Sequence, residues 1–453
     1  MRFEDLANAD VAIWGYGREG RSVLAALRRR FPQQPLTLYC KPDEAVVARQ
    51  RSDEHLRVID APPDAAALSA HGIVIKSPGI SAYRPEILTA QARGTRFTSG
   101  TALWFGANPD NRVVAVTGTK GKSTTTALVA HCARALGVRT ALAGNIGLPL
   151  LDLDGQRADL WTIELSSFQT GDAGPVDLGV IVSLGEEHLD WHGTRERYVG
   201  DKLRLADVSR MLLVDAESPL LMQRTAAHVQ RRTFDDTRGW HVAEDFIRYG
   251  DDDIFQASEL PLHGMHNAHN ACAALAAIDL LGLDARAAAN SLSTFKPLPH
   301  RLTSLGVRDG VAWIDDSIST TPDAALAALE SLHGRAVTLM LGGHDRGLNW
   351  TGFAQTLRVR PVHAVIVQGA AGARIADTLR DAHVECTVEQ ADGLAAAVAR
   401  AKTATQPGGV VLLSPGAPSF DQFRDYAERG RAFARLAGFD GDAIGEITGL
   451  GIA

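Results

Sequence analysis

An apolar run over residues 113–116 passes into Thr117-Gly118-Thr119-Lys120-Gly121-Lys122-Ser123-Thr124, and a helix is expected over residues 126–136. This order of strand, glycine-containing turn, Lys-Ser and helix constrains the chain more than any other stretch, because it suits a polyphosphate. Glycines let several backbone N–H groups converge on one anion, and the helix N-terminus adds partial positive charge. Lys122 can reach the terminal phosphates and the Ser123 hydroxyl can ligate magnesium. The plain alternative is a glycine-rich connection that binds nothing, and the order of the parts speaks against it. One departure stands out: the pattern G-x-x-x-x-G-K-[ST] wants glycine at position 116, and the chain has Val116.

At 453 residues the chain exceeds what one hydrophobic core supports, so roughly two to four domains are expected. A net charge of -7 with no basic block argues against nucleic acid as the main partner. Cys40, Cys132, Cys272 and Cys386 lie far apart and form no C-x-x-C pair, which points to reduced thiols in a cytoplasm rather than to a disulfide or zinc framework. Polar residues follow Met1 directly and no stretch nears 18 apolar residues, so neither export nor membrane insertion is expected.

Residues 11–14 read as a buried strand entering Gly15-Tyr16-Gly17-Arg18-Glu19-Gly20 and a helix through Arg30, the dinucleotide fingerprint. The acidic ribose partner that should close the next strand is missing; Cys40-Lys41 stands there. A lysine suits a phosphate better than a free diol, so a phosphorylated nucleotide is expected rather than a nicotinamide cofactor. Residues 73–75 end in Lys76-Ser77-Pro78-Gly79, a loop at the carboxyl end of a strand, where such sheets bind ligands. In the middle of the chain, Glu164 closes the strand at residues 161–163 and is the candidate magnesium-holding acid. His188 and His192 are spaced i, i+4, but they follow a strand and precede Gly193, so a loop is expected there and zinc is a minor reading. His263, His266 and His269 read as a polar helix start before the Ala-rich run at 271–277.

Gly118-Thr119-Lys120-Gly121-Lys122-Ser123-Thr124, Gly144-Asn145-Ile146-Gly147, Glu164-Leu165-Ser166-Ser167-Phe168-Gln169, His188 with Lys202, His266-Asn267-Ala268-His269-Asn270 and Leu298-Pro299-His300-Arg301 succeed one another as in the Mur ligases of peptidoglycan synthesis. The chain resembles that family over nearly its whole length. The resemblance implies an α/β protein of three domains: a Rossmann-like UDP-binding domain at 1–108, a central P-loop-type ATPase domain with a mostly parallel sheet at 109–298, and a Rossmann-like amino-acid-binding domain at 299–453. It implies a monomeric enzyme that uses ATP and Mg2+ to join glutamate to UDP-N-acetylmuramoyl-L-alanine through an acyl phosphate. On that resemblance Lys122, His188, Lys202 and Arg301 are catalytic. Residues Gly118 to Thr124, Asn267, Asn270, Arg301 and Asp316 hold ATP, and Ser123, Glu164, His188 and Lys202 hold metal, with Lys202 at a position carbamylated in the family. Arg18, Glu19, Lys41, Ser77, Gly79 and Asn145 face the UDP substrate, and Thr320, Arg346, Ser419 and Tyr426 face glutamate.

The last third alternates strands, at 311–314, 337–341, 364–367 and 410–413, with loops and helices. Where D-glutamate-adding members of the family usually read Asp-Ser-Lys-Ala-Thr-Asn, this chain reads Asp316-Ser317-Ile318-Ser319-Thr320-Thr321, and Tyr426 stands at a position usually Phe. Losing a cation beside an anionic substrate is not neutral. These departures favour the smaller branch that adds L-glutamate, with the D enantiomer as the alternative. A folylpolyglutamate synthase fits less well, since there the phosphate loop lies near the chain start.

Overall fold

Aliphatic runs such as Val11–Trp14, Ile73–Lys76 and Val113–Thr117 are buried along their whole length, the mark of parallel strands covered on both faces. The computed structural model describes every residue except Glu186, Glu187, His188, His263 and Glu446, and excepting also the side chains of Leu189 and Asp190. It separates into two compact units, residues 1–261, 265–295 and 449–453 in one and residues 262–264 and 296–448 in the other.

The first unit holds two large sheets. One is parallel, with strands in the order Leu56–Ile59, Leu36–Tyr39, Val11–Trp14, Ile73–Lys76, Arg96–Thr98. Its strand order reverses between Val11–Trp14 and Ile73–Lys76, which opens a crevice at their carboxyl ends. The other runs Arg231–Phe234, Ser209–Asp215, Val176–Ile181, Val113–Thr117, Leu160–Glu164, Thr140–Gly144 and Gly451–Ile452, and all but the last strand are parallel. A small antiparallel sheet of Trp240–Ala243, Phe246–Tyr249 and Asp252–Gln256 completes the unit. Leu24 and Leu27 beneath the first sheet share one apolar cluster with Trp104 of the helix Gly100–Ala107 and with Trp161 and Ile163 of the second sheet, and the Trp104 and Trp161 rings lie 4.7 Å apart.

The second unit is a six-stranded sheet ordered Thr303–Arg308, Val311–Asp315, Val410–Leu413, Val337–Gly342, Ala364–Gln368, Thr387–Ala391. Only the first pairing is antiparallel. Separate apolar clusters built on Leu339 and Val365 and on Met340 and Phe433 cover its two faces. The chain's last residues do not stay with this sheet: Gly451–Ile452 pairs with Thr140–Gly144 of the first unit.

Candidate active site

The phosphate-loop strand Val113–Thr117 sits inside the seven-stranded sheet. The helix after it is Lys122–Ala135, four residues earlier than expected, because Gly121 at φ +83° turns the backbone directly into the first helical residue. Lys122 and Ser123 therefore occupy the first turn, where unpaired N–H groups and the helix dipole favour an anion. A Cβ at Gly118 would lie 2.5 Å from Val182 Cγ2, so only glycine lets the loop pass the neighbouring strand's end. That neighbour also fixes the loop: Thr119 N–H donates to the Ser183 carbonyl at 3.1 Å and Lys120 N–H to the Ser183 hydroxyl at 2.8 Å. Lys120 points outward, Thr124 is buried, and the Lys122 ammonium donates to the Thr119 carbonyl at 3.3 Å.

Glu164 ends the adjacent strand, paired in register with Val116 and 1% exposed. Asn145 Nδ2 donates to its Oε1 at 2.6 Å, and its Oε2 is buried with no hydrogen-bond partner among the described residues. An orphaned carboxylate oxygen in a buried setting is costly unless a cation completes it, so the residue fits a magnesium ligand. Lys202 lies on the helix Arg195–Val208, is 2% exposed, and donates to the Gly118 carbonyl at 2.7 Å. His188 falls outside the described residues. Part of the segment expected as a loop is helical: Leu189–His192 makes one turn. Its His192 is wholly buried between Asp201 and Ser167, and among the described residues no group of three His, Cys, Asp or Glu side chains is placed to hold a metal. Asn267 and Asn270 are both buried on Met265–Leu280, which packs along the phosphate-loop helix. Asn270 Nδ2 donates to Asn267 Oδ1 at 3.1 Å, and the Thr125 hydroxyl donates to Asn270 Oδ1 at 3.3 Å. His269 turns aside to Asp235 at 2.7 Å.

At the crevice of the five-stranded sheet, Gly15 at φ +97° brings the first loop against Ser77, whose Oγ would lie 2.6 Å from a Cβ at Gly15. The Ser77 hydroxyl has no partner among the described residues, and Gly79 and Lys41 are exposed nearby along the same sheet's strand ends. Arg18 reaches across to the central sheet's loop, donating to the Gly147 carbonyl at 2.7 Å, which draws the Asn145 loop toward the UDP candidates. Glu19 is pushed up to about 7, chiefly by burial and secondarily by the Asp152 carboxylate, with Arg18 opposing.

In the second unit the loops after Val311–Asp315, Val337–Gly342 and Val410–Leu413 lie on neighbouring strands. Asp316 is 3% exposed, and the Ser319 and Ser414 hydroxyls donate to its Oδ2 at 2.5 and 2.7 Å. Burial lifts its carboxyl to about 6 against those bonds and the Arg301 charge. Arg301 is half-buried, with its Nε lacking a partner among the described residues. Thr320 is half-buried, Ser419 buried and Arg346 exposed; Arg346's neighbour Asp345 is engaged by Arg374. Tyr426 opens the helix Tyr426–Ala437, edge-on to His300 at 6.0 Å. Sequence reasoning missed Arg429, a wholly enclosed guanidinium that donates to Ser317 Oγ at 3.0 Å, the Ser317 carbonyl at 2.8 Å and the Ala417 carbonyl at 3.0 Å. It ties two of the three loops together, and the only signal for it was a cation within an otherwise apolar helix face.

A phosphate-loop turn heading a mostly parallel sheet, followed by a second α/β sheet with clustered strand-end loops, defines a nucleotide-using enzyme. Residues 116–278 match the Mur ligase middle domain and residues 300–416 the Mur ligase, glutamate ligase domain. The chain is 48% identical over 473 aligned residues, covering 100% of both proteins, to UDP-N-acetylmuramoyl-L-alanine--L-glutamate ligase of Xanthomonas euvesicatoria pv. vesicatoria, and 46% identical over 470, again 100% of both, to the ligase of that name from Xylella fastidiosa. Among solved structures it shares the fold of UDP-N-acetylmuramate-alanine ligase MurC from Thermotoga maritima, with a TM-score of 0.61, 19% identity, and coverage of 94% of this chain and 99% of that one. The chain belongs to the Mur ligase family, and it is an ATP-dependent ligase that forms an amide bond.

Proposed function

We propose that the protein joins L-glutamate to UDP-N-acetylmuramoyl-L-alanine, working as a monomer in the cytoplasm. The observation that supports this reading is 46 to 48% identity, over the full length of both proteins, to ligases named for that reaction. The carboxylate oxygen of the muramoyl-alanine attacks the γ-phosphorus of ATP and ADP leaves; the glutamate amine then attacks the acyl carbon, phosphate departs, and the amine proton passes to solvent. Negative charge grows on phosphoryl and then carbonyl oxygens, so preorganised cations and N–H donors lower both barriers. Lys122 and the first-turn N–H groups provide these at the phosphate, with Gly118, Thr119, Lys120, Gly121 and Thr124 shaping the loop and Asn267 and Asn270 facing the nucleoside. Glu164 and Ser123, with His188 and a carbamylated Lys202, would hold magnesium, which when bound neutralises phosphate charge; the unmodified ammonium of Lys202 has no lone pair for the ion. Arg301 and Asp316 of the second unit are assigned to ATP on the family resemblance alone.

Arg18, Glu19, Lys41, Ser77, Gly79 and Asn145 are proposed to seat the UDP moiety. Thr320, Arg346, Ser419 and Tyr426 are proposed to seat glutamate, a cation and three hydroxyls for a carboxylate-rich ligand. Ile318 supports the L enantiomer: inverting the α-carbon while the amine and side-chain carboxylate stay in place moves the α-carboxylate away from the position that a lysine serves in D-specific members. Phosphate release from ATP with UDP-N-acetylmuramoyl-L-alanine and pure L- or D-glutamate tests the reading. Turnover with L-glutamate at least about 100-fold above D is expected, since loss of one polar contact shifts selectivity by that order. Turnover confined to D-glutamate would overturn the stereochemical part and leave the ligase.

A further inference from the structure

A line of side-chain hydrogen bonds, none assigned above to substrate, joins the five-stranded sheet to the helix that carries Lys202. The Tyr83 hydroxyl lies 2.8 and 2.9 Å from the two carboxylate oxygens of Asp201 and donates to them. His192 Nδ1 is 2.7 Å from Asp201 Oδ2, and its Nε2 is 2.9 Å from the Ser167 hydroxyl. Two further bonds clamp the same loops: the Ser81 hydroxyl donates to the Trp191 carbonyl at 2.6 Å, and Trp191 Nε1 to the Pro78 carbonyl at 3.0 Å. The Thr170 hydroxyl donates to the Asp201 carbonyl at 2.7 Å. Each end of this line abuts a proposed site. Tyr83 follows Ser77 and Gly79 in one loop, Asp201 immediately precedes Lys202, and Ser167 lies three residues past Glu164.

Ser167, His192 and Asp201 have the connectivity of a hydrolytic triad. Ser167 is only 4% exposed and His192 is fully enclosed, so the hydroxyl has no path to a substrate and the arrangement acts mechanically. A buried polar network with every member satisfied rigidifies the elements it joins, and cutting one member leaves the others unpaired at full cost.

We propose that Asp201, His192 and Tyr83 are positioning residues that hold the Lys202 turn and the Ser166-Ser167 segment in register with the Ser77–Tyr83 loop, tying seating of the sugar nucleotide to phosphoryl transfer. This rests on the function proposed above. Tyr83→Phe removes one hydroxyl and keeps the ring that meets Trp191 edge-on at 5.7 Å, while Asp201→Asn keeps the size of the side chain. In the full chain, kcat for phosphate release is expected to fall about tenfold in each variant with KM for ATP within about twofold of wild type, the size of one hydrogen bond felt only at the reacting geometry. The double variant should be no slower than Asp201→Asn alone, because groups that act as a unit are not additive. His192→Asn, whose amide still donates to Asp201, should keep more kcat than His192→Ala. A double variant slowed by the product of the single effects, or single variants that melt earlier yet turn over like wild type, would overturn the proposal. Failure of the wild-type protein to release phosphate with UDP-N-acetylmuramoyl-L-alanine and either glutamate would instead overturn the functional reading beneath it.

Discussion

Gly121, at φ +83°, faces Asn270 so closely that a methyl group on its Cα would overlap Asn270 Oδ1. The phosphate turn and the helix Met265–Leu280 are thus fitted to each other at one glycine, although the two residues lie 149 positions apart in the sequence.

Gly121→Ala should therefore act on nucleotide binding and stability together. The left-handed backbone and the overlap each cost about 1 kcal/mol or more, so a lower melting temperature and an ATP KM raised by about tenfold are expected from calorimetry and steady-state kinetics. A variant with wild-type ATP affinity would show that the contact is incidental.

Lys122→Ala removes the cation of the first helical turn while leaving the helix to Ala135 intact. Because such terms act on charge that grows in the transition state, turnover should fall on the order of 10³ or more with the circular dichroism unchanged. Near wild-type phosphate release from a folded variant would remove Lys122 from the chemistry.

Glu164→Gln keeps the shape beside Asn145 and deletes the charge whose Oε2 is unpaired among the described residues. Magnesium-dependent ADP affinity, read by calorimetry with and without the ion, should lose at least about tenfold of its magnesium enhancement. Stability without the ion should hold or rise, since an uncompensated buried charge is gone. An unchanged magnesium enhancement would refute the assignment.

Asp316 offers a pH test independent of catalysis. Its folded carboxyl is lifted by burial to about 6 from an ordinary value near 3.8, so between those values the folded chain binds more protons than the unfolded one. Stability from this group is present in full below about 4 and is lost as pH rises through about 6. Compared with Asp316→Asn, the wild-type unfolding free energy should fall by about 2 kcal/mol over that window in urea melts. Parallel pH profiles for the two proteins would contradict the burial argument.

A further measurement concerns the five-stranded sheet. Calorimetry should detect binding of the UDP-sugar and none of NAD or NADP at comparable concentration, and Arg18→Ala, which loses the bond to the Gly147 carbonyl, should weaken that binding about tenfold. NAD binding that UDP compounds fail to displace would return the fingerprint at Gly15 to a dehydrogenase.

Local chemistry was enough to read the phosphate loop, the parallel character of the buried runs and the carboxylate at a strand end, because strand, turn, cap and helix signals lie within a few residues of each other. The sequence also placed a polar helix start before Ala271, and the helix Met265–Leu280 is there. Where it went astray, non-local packing was responsible. The helix begins at Lys122 because Gly121, at φ +83°, turns the backbone directly into it, at a point where Asn270 leaves no room for a side chain. Residues 189–192 form a turn because His192 is enclosed by Ser167 and Asp201. No pattern along the chain announces that Arg429 clamps Ser317 and Ala417, that Tyr83 meets Asp201, or that Gly451–Ile452 leaves its neighbours for the edge of the central sheet. Which chemistry the chain is equipped for follows from residue types at short spacing; which of those residues are held, and by what, is decided by burial and by pairings between segments that only meet once the sheets have formed.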